Sequence, residues 1–208
     1  MKIGDRIALG RYDFRNDGEK LPVTWRVIGE REDAFLLITE EIIDWSVFNL
    51  AEPINWEHSL LRFCHRMLYQ EMFDEYEKLC VLESDILTSE KNLYDEADVC
   101  PDEGVLTKDF LFSLSAYEAQ TYFADDDLRK AVPTPYAEAQ GVYKDKNTGC
   151  SCWWLRSRGY NSTYASDVLP NGEICASGDE VDEGGGLRPA MWYKKTEALR
   201  HMLVLDVY

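Results

Sequence analysis

The last third of the chain alternates short apolar runs with breaks rich in glycine, proline and asparagine, and this spacing constrains the fold more than any other feature. Trp153 to Arg156, Tyr164 to Leu169 and Glu173 to Ala176 each read as a strand. Pro170-Asn171-Gly172 supplies a hairpin turn between the last two. Gly184-Gly185-Gly186 then leads into a further strand over Leu187 to Tyr193. A tail of this kind folds back as short antiparallel pairs, which brings the turns between them side by side.

The N-terminal part repeats the strand pattern. Asp5 to Arg11 and Val23 to Gly29 flank the turn Asn16-Asp17-Gly18, and Ala34 to Thr39 is a third apolar run. From Trp56 the period becomes helical, with Leu60, Leu61, Cys64, Met67 and Leu68 on one face and Asn55 as N-cap. A second helical piece covers Met72 to Leu79. Cys80 to Leu87 and Val105 to Leu114 read as strands around a polar loop, Asp95 to Gly104. Ser115 and Glu118 form a capping box that opens a short helix. Asp125-Asp126-Asp127 favours another helix start. After the break at Pro133-Thr134-Pro135, Tyr136 to Gln140 is a short helix closed by Gly141. Met202 to Val207 is apolar and suits an edge strand in a C-terminal extension, 194–208. No internal repeat and no low-complexity linker interrupts the chain, so the expectation is one α+β domain over 1–208, antiparallel strands with a few helices.

Charge narrows the partners. Lys and Arg number 22 against 39 Asp and Glu, a formal charge of −17. Such a surface repels phosphate backbones and anionic lipid, which sets aside nucleic acid and membrane docking. No apolar run approaches the roughly 20 residues a bilayer span needs. The N-terminus lacks an apolar signal core, so the expected location is the cytoplasm unless a non-classical route exports the chain. Asn161-Ser162-Thr163 fits the glycosylation pattern but carries little weight without a secretory signal. The six cysteines contain no Cys-x-x-Cys pair, and His58, His65 and His201 show no zinc spacing with them. The expectation is free thiols, no metal and no cofactor. Asp125-Asp126-Asp127 lacks the alternating ligand spacing of a calcium loop.

Several segments in a fixed order carry a resemblance. They are Pro22 to Ile28 (PVTWRVI), Ala34 to Thr39 (AFLLIT), Ile43-Asp44, Phe48-Asn49, Trp56-Glu57-x-Ser59-x-Leu61-Arg62, Phe112 to Ser115, Pro133-Thr134-x-Tyr136-Ala137, Trp153 to Ser157 and Gly186 to Trp192. This series resembles a bacterial and phage domain family catalogued as a domain of unknown function, from about Ile3 to Tyr193. That family is similar to C-type-lectin-like folds of the formylglycine-generating-enzyme type and to the variable proteins of diversity-generating retroelements, whose C-terminal loops carry ligand-binding variation. The resemblance implies a C-type-lectin-like fold. The chain departs from the family pattern at Phe63-Cys64-His65, where a tryptophan and a small polar residue usually follow the helix's Leu-Arg. The acidic stretch Gly178 to Glu183 also differs from the mostly neutral loops of retroelement variable proteins.

The candidate site is the surface between Trp154 and Trp192. Arg156 and Arg188 are expected to be buried framework residues, bonded to backbone carbonyls or acids, as motifs of the form Trp-Leu-Arg-Ser and Arg-Pro-Ala usually are. Trp153 and Trp192 share that structural role. Strand alternation turns one of Trp153 and Trp154 outward, where Trp154 is placed to stack on a sugar or an aromatic side chain. The loop from Arg158 to Tyr164 has the Tyr, Ser, Gly and Asn composition of recognition surfaces, so Tyr160, Asn161, Thr163 and Tyr164 are candidate ligand contacts. Asp179 and Asp182, in the neighbouring acidic loop, complete the set. An ordinary solvated loop has the same composition.

Enzyme readings find little support. Formylglycine-generating enzymes bind copper through a cysteine pair near the C-terminal core, but Cys150 and Cys152 lie one residue apart, before the tryptophan pair, outside the matching context. No Gly-x-Ser-x-Gly or phosphate-loop pattern occurs, and the histidines have no serine or aspartate pattern beside them. The expected function is a non-catalytic module that binds a protein, small-molecule or carbohydrate ligand through its C-terminal loops. A structural or assembly domain of a phage-derived or surface complex is the alternative, and a metal-dependent enzyme follows.

Overall fold

The computed structural model describes residues 1–50 and 55–195. His201 and the edge strand expected over Met202 to Val207 lie outside the described residues.

The chain opens with β1 (Arg6–Tyr12), β2 (Leu21–Glu30) and β3 (Ala34–Thr39), an antiparallel meander. The turn before β2 depends on two left-handed positions, Asn16 (φ 59°) and Gly18 (φ 87°). The Asp13 carboxylate holds it by accepting from the Asp17 and Gly18 amides, at 3.1 and 2.8 Å. All six residues of β3 are buried, because the strand is central and covered on both faces. Its other neighbour is β11 (Ala190–Lys194), paired antiparallel with Ala190 opposite Ile38 and Lys194 opposite Ala34. The two ends of the described chain thus close one sheet, ordered β1-β2-β3-β11.

A second sheet carries β4 (Asp44–Val47), β10 (Gly184–Leu187), β7 (Trp153–Arg158), β8 (Tyr164–Val168) and β9 (Ile174–Glu180), in that spatial order. Its pairings are antiparallel except β10 beside β7. A two-stranded hairpin, β5 (Ser84–Ser89) with β6 (Gly104–Asp109), stands apart from both sheets. The result is a mixed α+β single domain with mostly antiparallel strands and few helices.

Two helical turns meet after β4. Trp56–His58 is a single 3-10 turn capped by Asn55, and α1 (Leu60–Met72) starts afresh with Ser59 as its own N-cap. The inward face of α1 is Leu61, Arg62, His65, Leu68, Tyr69 and Met72, and Met67 is 54% exposed instead of sharing it. The face is rotated because two polar residues point inward. Arg62 reaches the buried Asp109 at 2.7 Å, and His65 Nδ1 bonds the Leu61 carbonyl at 2.8 Å. Trp56 Nε1 and Thr107 Oγ1 satisfy the other Asp109 oxygen, so one carboxylate ties α1, the 3-10 turn and β6 together.

Of the second helical piece only α2 (Glu75–Lys78) forms, opened by an Asp74–Glu77 capping box. The Ser115–Glu118 box opens α3 (Ala116–Tyr122), Asp125 caps α4 (Asp126–Arg129), and α5 (Pro135–Gln140) ends at Gly141.

Three strand readings need correction. The strand read over Cys80 to Leu87 is shifted to Ser84–Ser89, because Cys80 and Val81 instead meet the end of β11. The run Val105 to Leu114 is strand only to Asp109; Phe112 then leaves the hairpin to bridge Ala190. The run Leu187 to Tyr193 is two strands. Gly184-Gly185-Gly186 is itself β10, in the second sheet, and the chain passes at Arg188-Pro189 into β11 of the first.

Candidate functional site

The joint between the sheets explains one arginine. Where β10 gives way to β11 the backbone carbonyls nearby lose strand partners and need donors. Arg188 is fully buried and donates to the carbonyls of Thr39 (3.0 Å), Arg129 (2.8 Å) and Glu40 (3.4 Å). Its guanidinium lies over the Trp153 ring at 5.0 Å. Arg156 is buried under α3. It donates to the carbonyls of Ser113 (2.9 Å) and Leu87 (3.0 Å), to Thr88 Oγ1, and to the carboxylates of Glu118 and Asp102. That uses the guanidinium fork fully. Trp192 is half-buried with Arg31 stacked over it at 4.5 Å.

Both tryptophans of β7 are buried, at 0% and 3% exposure, so Trp154 does not turn outward. Alternation still holds, but this sheet is covered on both faces. Trp153 donates to the Arg129 carbonyl at 3.1 Å, and Trp154 to the Ser46 carbonyl of β4 at 2.9 Å. Phe48 meets the Trp154 ring edge-on at 5.9 Å.

The two C-terminal turns lie side by side. Val181 donates its amide to the Thr163 carbonyl at 2.9 Å, and Tyr164 pairs with Glu180 across β8 and β9. Tyr160 is 53% exposed and meets Tyr164 at 6.2 Å and Tyr94 at 5.4 Å, both edge-to-face. Tyr164 Oη donates to Glu180 at 3.1 Å. Asp182 is exposed. Asn161 and Thr163 are occupied within their own turn, since Asn161 Oδ1 accepts from the Thr163 amide (2.7 Å) and hydroxyl (2.8 Å).

Asp179 and Trp154 belong to a different feature. The cross-strand register sets Trp154 of β7 opposite Asp167 of β8, and Asp167 opposite Cys175 of β9. Alternation along β8 sends Asp167 to the face away from Tyr164. There a pocket of about 180 Å³ is lined by Trp154, Asp167, Asp179, Glu183, Cys152 and Tyr143. Gly184 and Gly185 of β10 border it, because aromatic rings occupy the space above them. A Cβ on Gly185 would stand 2.6 Å from Trp154 Nε1, and one on Gly184 would strike Trp45. Gly185→Ala is therefore expected to destabilise the fold by about 2 kcal/mol through overpacking. Trp154 is held in place by its bond to Ser46 and its edge contact with Phe48, so it gives way only by breaking them. Urea denaturation of the variant checks this, and an unchanged midpoint contradicts it.

Asp167 is the unusual group of this pocket. It is 2% exposed, and no hydrogen bond from a nitrogen or hydroxyl reaches either carboxylate oxygen; the Cys152 and Cys175 thiols are its polar neighbours. Burial first, and the charge of Asp179 second, push its pKa up to about 8; the Cys152 and Cys175 thiols act in the opposite direction. Burial and the same two carboxylates push the Cys152 thiol up to about 12, and Cys175 is raised as well. Both therefore stay thiols, poor nucleophiles and poor metal ligands. All six cysteines are free.

The structure also brings a serine to a histidine that the sequence keeps 48 residues apart. Ser113 Oγ lies 3.3 Å from His65 Nε2. Both residues are buried, at 1% and 0% exposure, and burial holds His65 down to about 4, as the neutral ring. The pair has no opening to a substrate and serves the core beneath Trp56, which stacks edge-on with His65 at 5.4 Å. Among the described residues no group of three or more His, Cys, Asp or Glu is arranged to hold a metal ion, and no helix is long and apolar enough to cross a membrane.

Asp167 is absent from the sequence-based candidates, whereas Glu183 belongs to the acidic loop Asp179 to Glu183 and Cys152 enters there only as a copper ligand that is set aside. The signal for Asp167 was present: a lone carboxylate inside the strand-forming run Tyr164 to Leu169. A family model described as a domain of unknown function (DUF6273) matches residues 32–195. No curated protein matches, and no solved structure matches.

Proposed function

The chain belongs to the DUF6273 family, and we propose that it is a non-catalytic binding module whose ligand, a protein, small molecule or carbohydrate, is met by the C-terminal sheet and its loops. In this reading the organisation is C-type-lectin-like. The pairing of β11 with β3, which ties the C-terminal strand to the N-terminal meander, supports it. So does the loop-bearing second sheet. The observation that carries the reading is the bond from the Val181 amide to the Thr163 carbonyl. It fixes two polar turns side by side over a rigid base, with Tyr160 and Asp182 open to solvent. Tyrosine in that position offers contact area at small entropic cost. Asn161 and Thr163 act as braces of the turn.

A Tyr160→Ala, Tyr164→Ala double variant is expected to lose at least tenfold in affinity for a ligand found on a glycan or peptide array, with its melting temperature nearly unchanged. Equal affinity of the variant removes the tyrosine surface from the proposal.

The assembly reading has one observation of its own. Phe63 and Met67, one turn apart on α1, are 56% and 54% exposed. A stable homo-oligomer in light scattering, dispersed by Phe63→Glu, favours a domain of a phage-derived or surface complex.

A further inference from the structure

We propose that the pocket between β7, β8 and β10 receives a cationic amine, with the carboxylate of Asp167 as its counter-ion. The inference rests on reading the C-terminal sheet as the ligand-bearing surface, and it names the chemistry of one part of that surface.

Asp167 lies in the wall of the pocket, nearly without solvent, and only the weak thiol donors of Cys152 and Cys175 stand beside its oxygens. A buried carboxylate left unsatisfied is costly, and native structures rarely keep one without a role. Asp179 and Glu183 line the same space, and among the described lining residues there is no Lys, Arg or His. A counter-charge for the ionised form of Asp167 would therefore come from outside. An alkylammonium answers each feature. Its three N–H donors can reach both Asp167 oxygens and a second carboxylate, while its methylenes lie against Trp154 and Tyr143. An aromatic wall adds a favourable field for a cation. A volume of about 180 Å³ is smaller than the roughly 300–1,000 Å³ of pockets that enclose whole ligands. It suits a head group on a larger molecule. An anion would face three carboxylates, and a neutral alcohol would leave the charge of Asp167 uncompensated.

The head group comes either from a free amine or from a lysine side chain on a protein partner. The probes are n-butylammonium, its neutral isostere n-butanol, and a blocked Gly-Lys-Gly peptide. Each is titrated into the ¹⁵N-labelled full chain at about pH 9, where Asp167 is largely ionised. The expected result is a saturating shift of the Trp154 indole N–H with n-butylammonium. Affinity falls at least tenfold in Asp167→Asn and falls for the unmutated chain at about pH 6, where Asp167 is protonated. Asp179, Glu183, Cys152 and Tyr143 line the same space and Cys175 neighbours Asp167 from β9, so Asp179→Asn is measured beside it and is expected to weaken binding less. Tighter binding of the peptide than of n-butylammonium assigns a protein lysine, and equal binding a free amine. No saturating shift, equal binding of n-butanol, or unaltered affinity in Asp167→Asn overturns the proposal. The Tyr160→Ala, Tyr164→Ala variant separates this from the loop reading. It keeps n-butylammonium binding whether or not the tyrosines meet a ligand.

Discussion

Arg156→Ala is expected to destabilise the fold by about 4 kcal/mol, the cost of breaking a buried ion pair from one side. The side chain is 2% exposed, and its donors serve Ser113 O, Leu87 O, Thr88 Oγ1, Glu118 and Asp102 at once. Removing it leaves two carboxylates and two carbonyls beneath α3 without their cation. It also removes the bonds from β7 to Leu87 and Thr88 of β5. For a chain of this size the melting temperature should fall by roughly 8–16 °C. Arg156→Lys retains the charge but has neither the planar fork nor five donors, so about half the loss should persist. Glu118→Gln in the Arg156→Ala background should cost little further, because the carboxylate it removes is already unpaired. A circular-dichroism melt within a few degrees of the parent contradicts this account.

That arginine also shows what could be read from the chain. Trp153-Trp154-Leu155-Arg156-Ser157 identified a strand ending in a polar framework group, because a long cation after an apolar run must find acceptors. The partners were not legible, since Thr88, Asp102 and Glu118 lie 38 to 68 residues away. Local chemistry was read well. Ser115 with Glu118, the run Asp125-Asp126-Asp127, and Gly141 each mark a helix end that forms, because caps act over three or four residues. The Leu187 to Tyr193 run was misread for the opposite reason. Its hydrophobicity is continuous, and only the tertiary fold decides that one half joins β4 and β7 while the other joins β3. The inward face of α1 was misread because Arg62 and His65 count as polar in a pattern yet are buried by Asp109 and Ser113. Asp167 was passed over because a charged residue in a strand is ordinarily a solvated one. Its burial follows from a sheet covered on both faces, which alternation alone does not reveal.

Asp167→Asn is expected to stabilise the chain, and more so at about pH 8 than at about pH 5. In the folded state Asp167 holds its proton up to about 8, and in the unfolded chain it reverts to the ordinary 3.8. Between those values folding takes up a proton, so the stability contributed by this group is fully present below 3.8 and declines as pH rises toward 8. Asparagine has nearly the same shape and no proton to exchange. The difference in unfolding free energy between variant and parent should therefore widen by on the order of 3 kcal/mol from about pH 5 to about pH 8. Asp179, Glu183, Cys152 and Cys175 are common to both proteins, so their own titrations largely cancel. Parallel stability curves for the two proteins would show that the carboxyl is already solvated or paired. The same measurement joins stability to binding. A ligand that meets only the folded state raises its stability by mass action, so n-butylammonium at about pH 8 should restore to the parent part of what asparagine supplies by substitution. It should stabilise the variant far less. A group retained at such a cost to the empty fold is accounted for by the cation that relieves it.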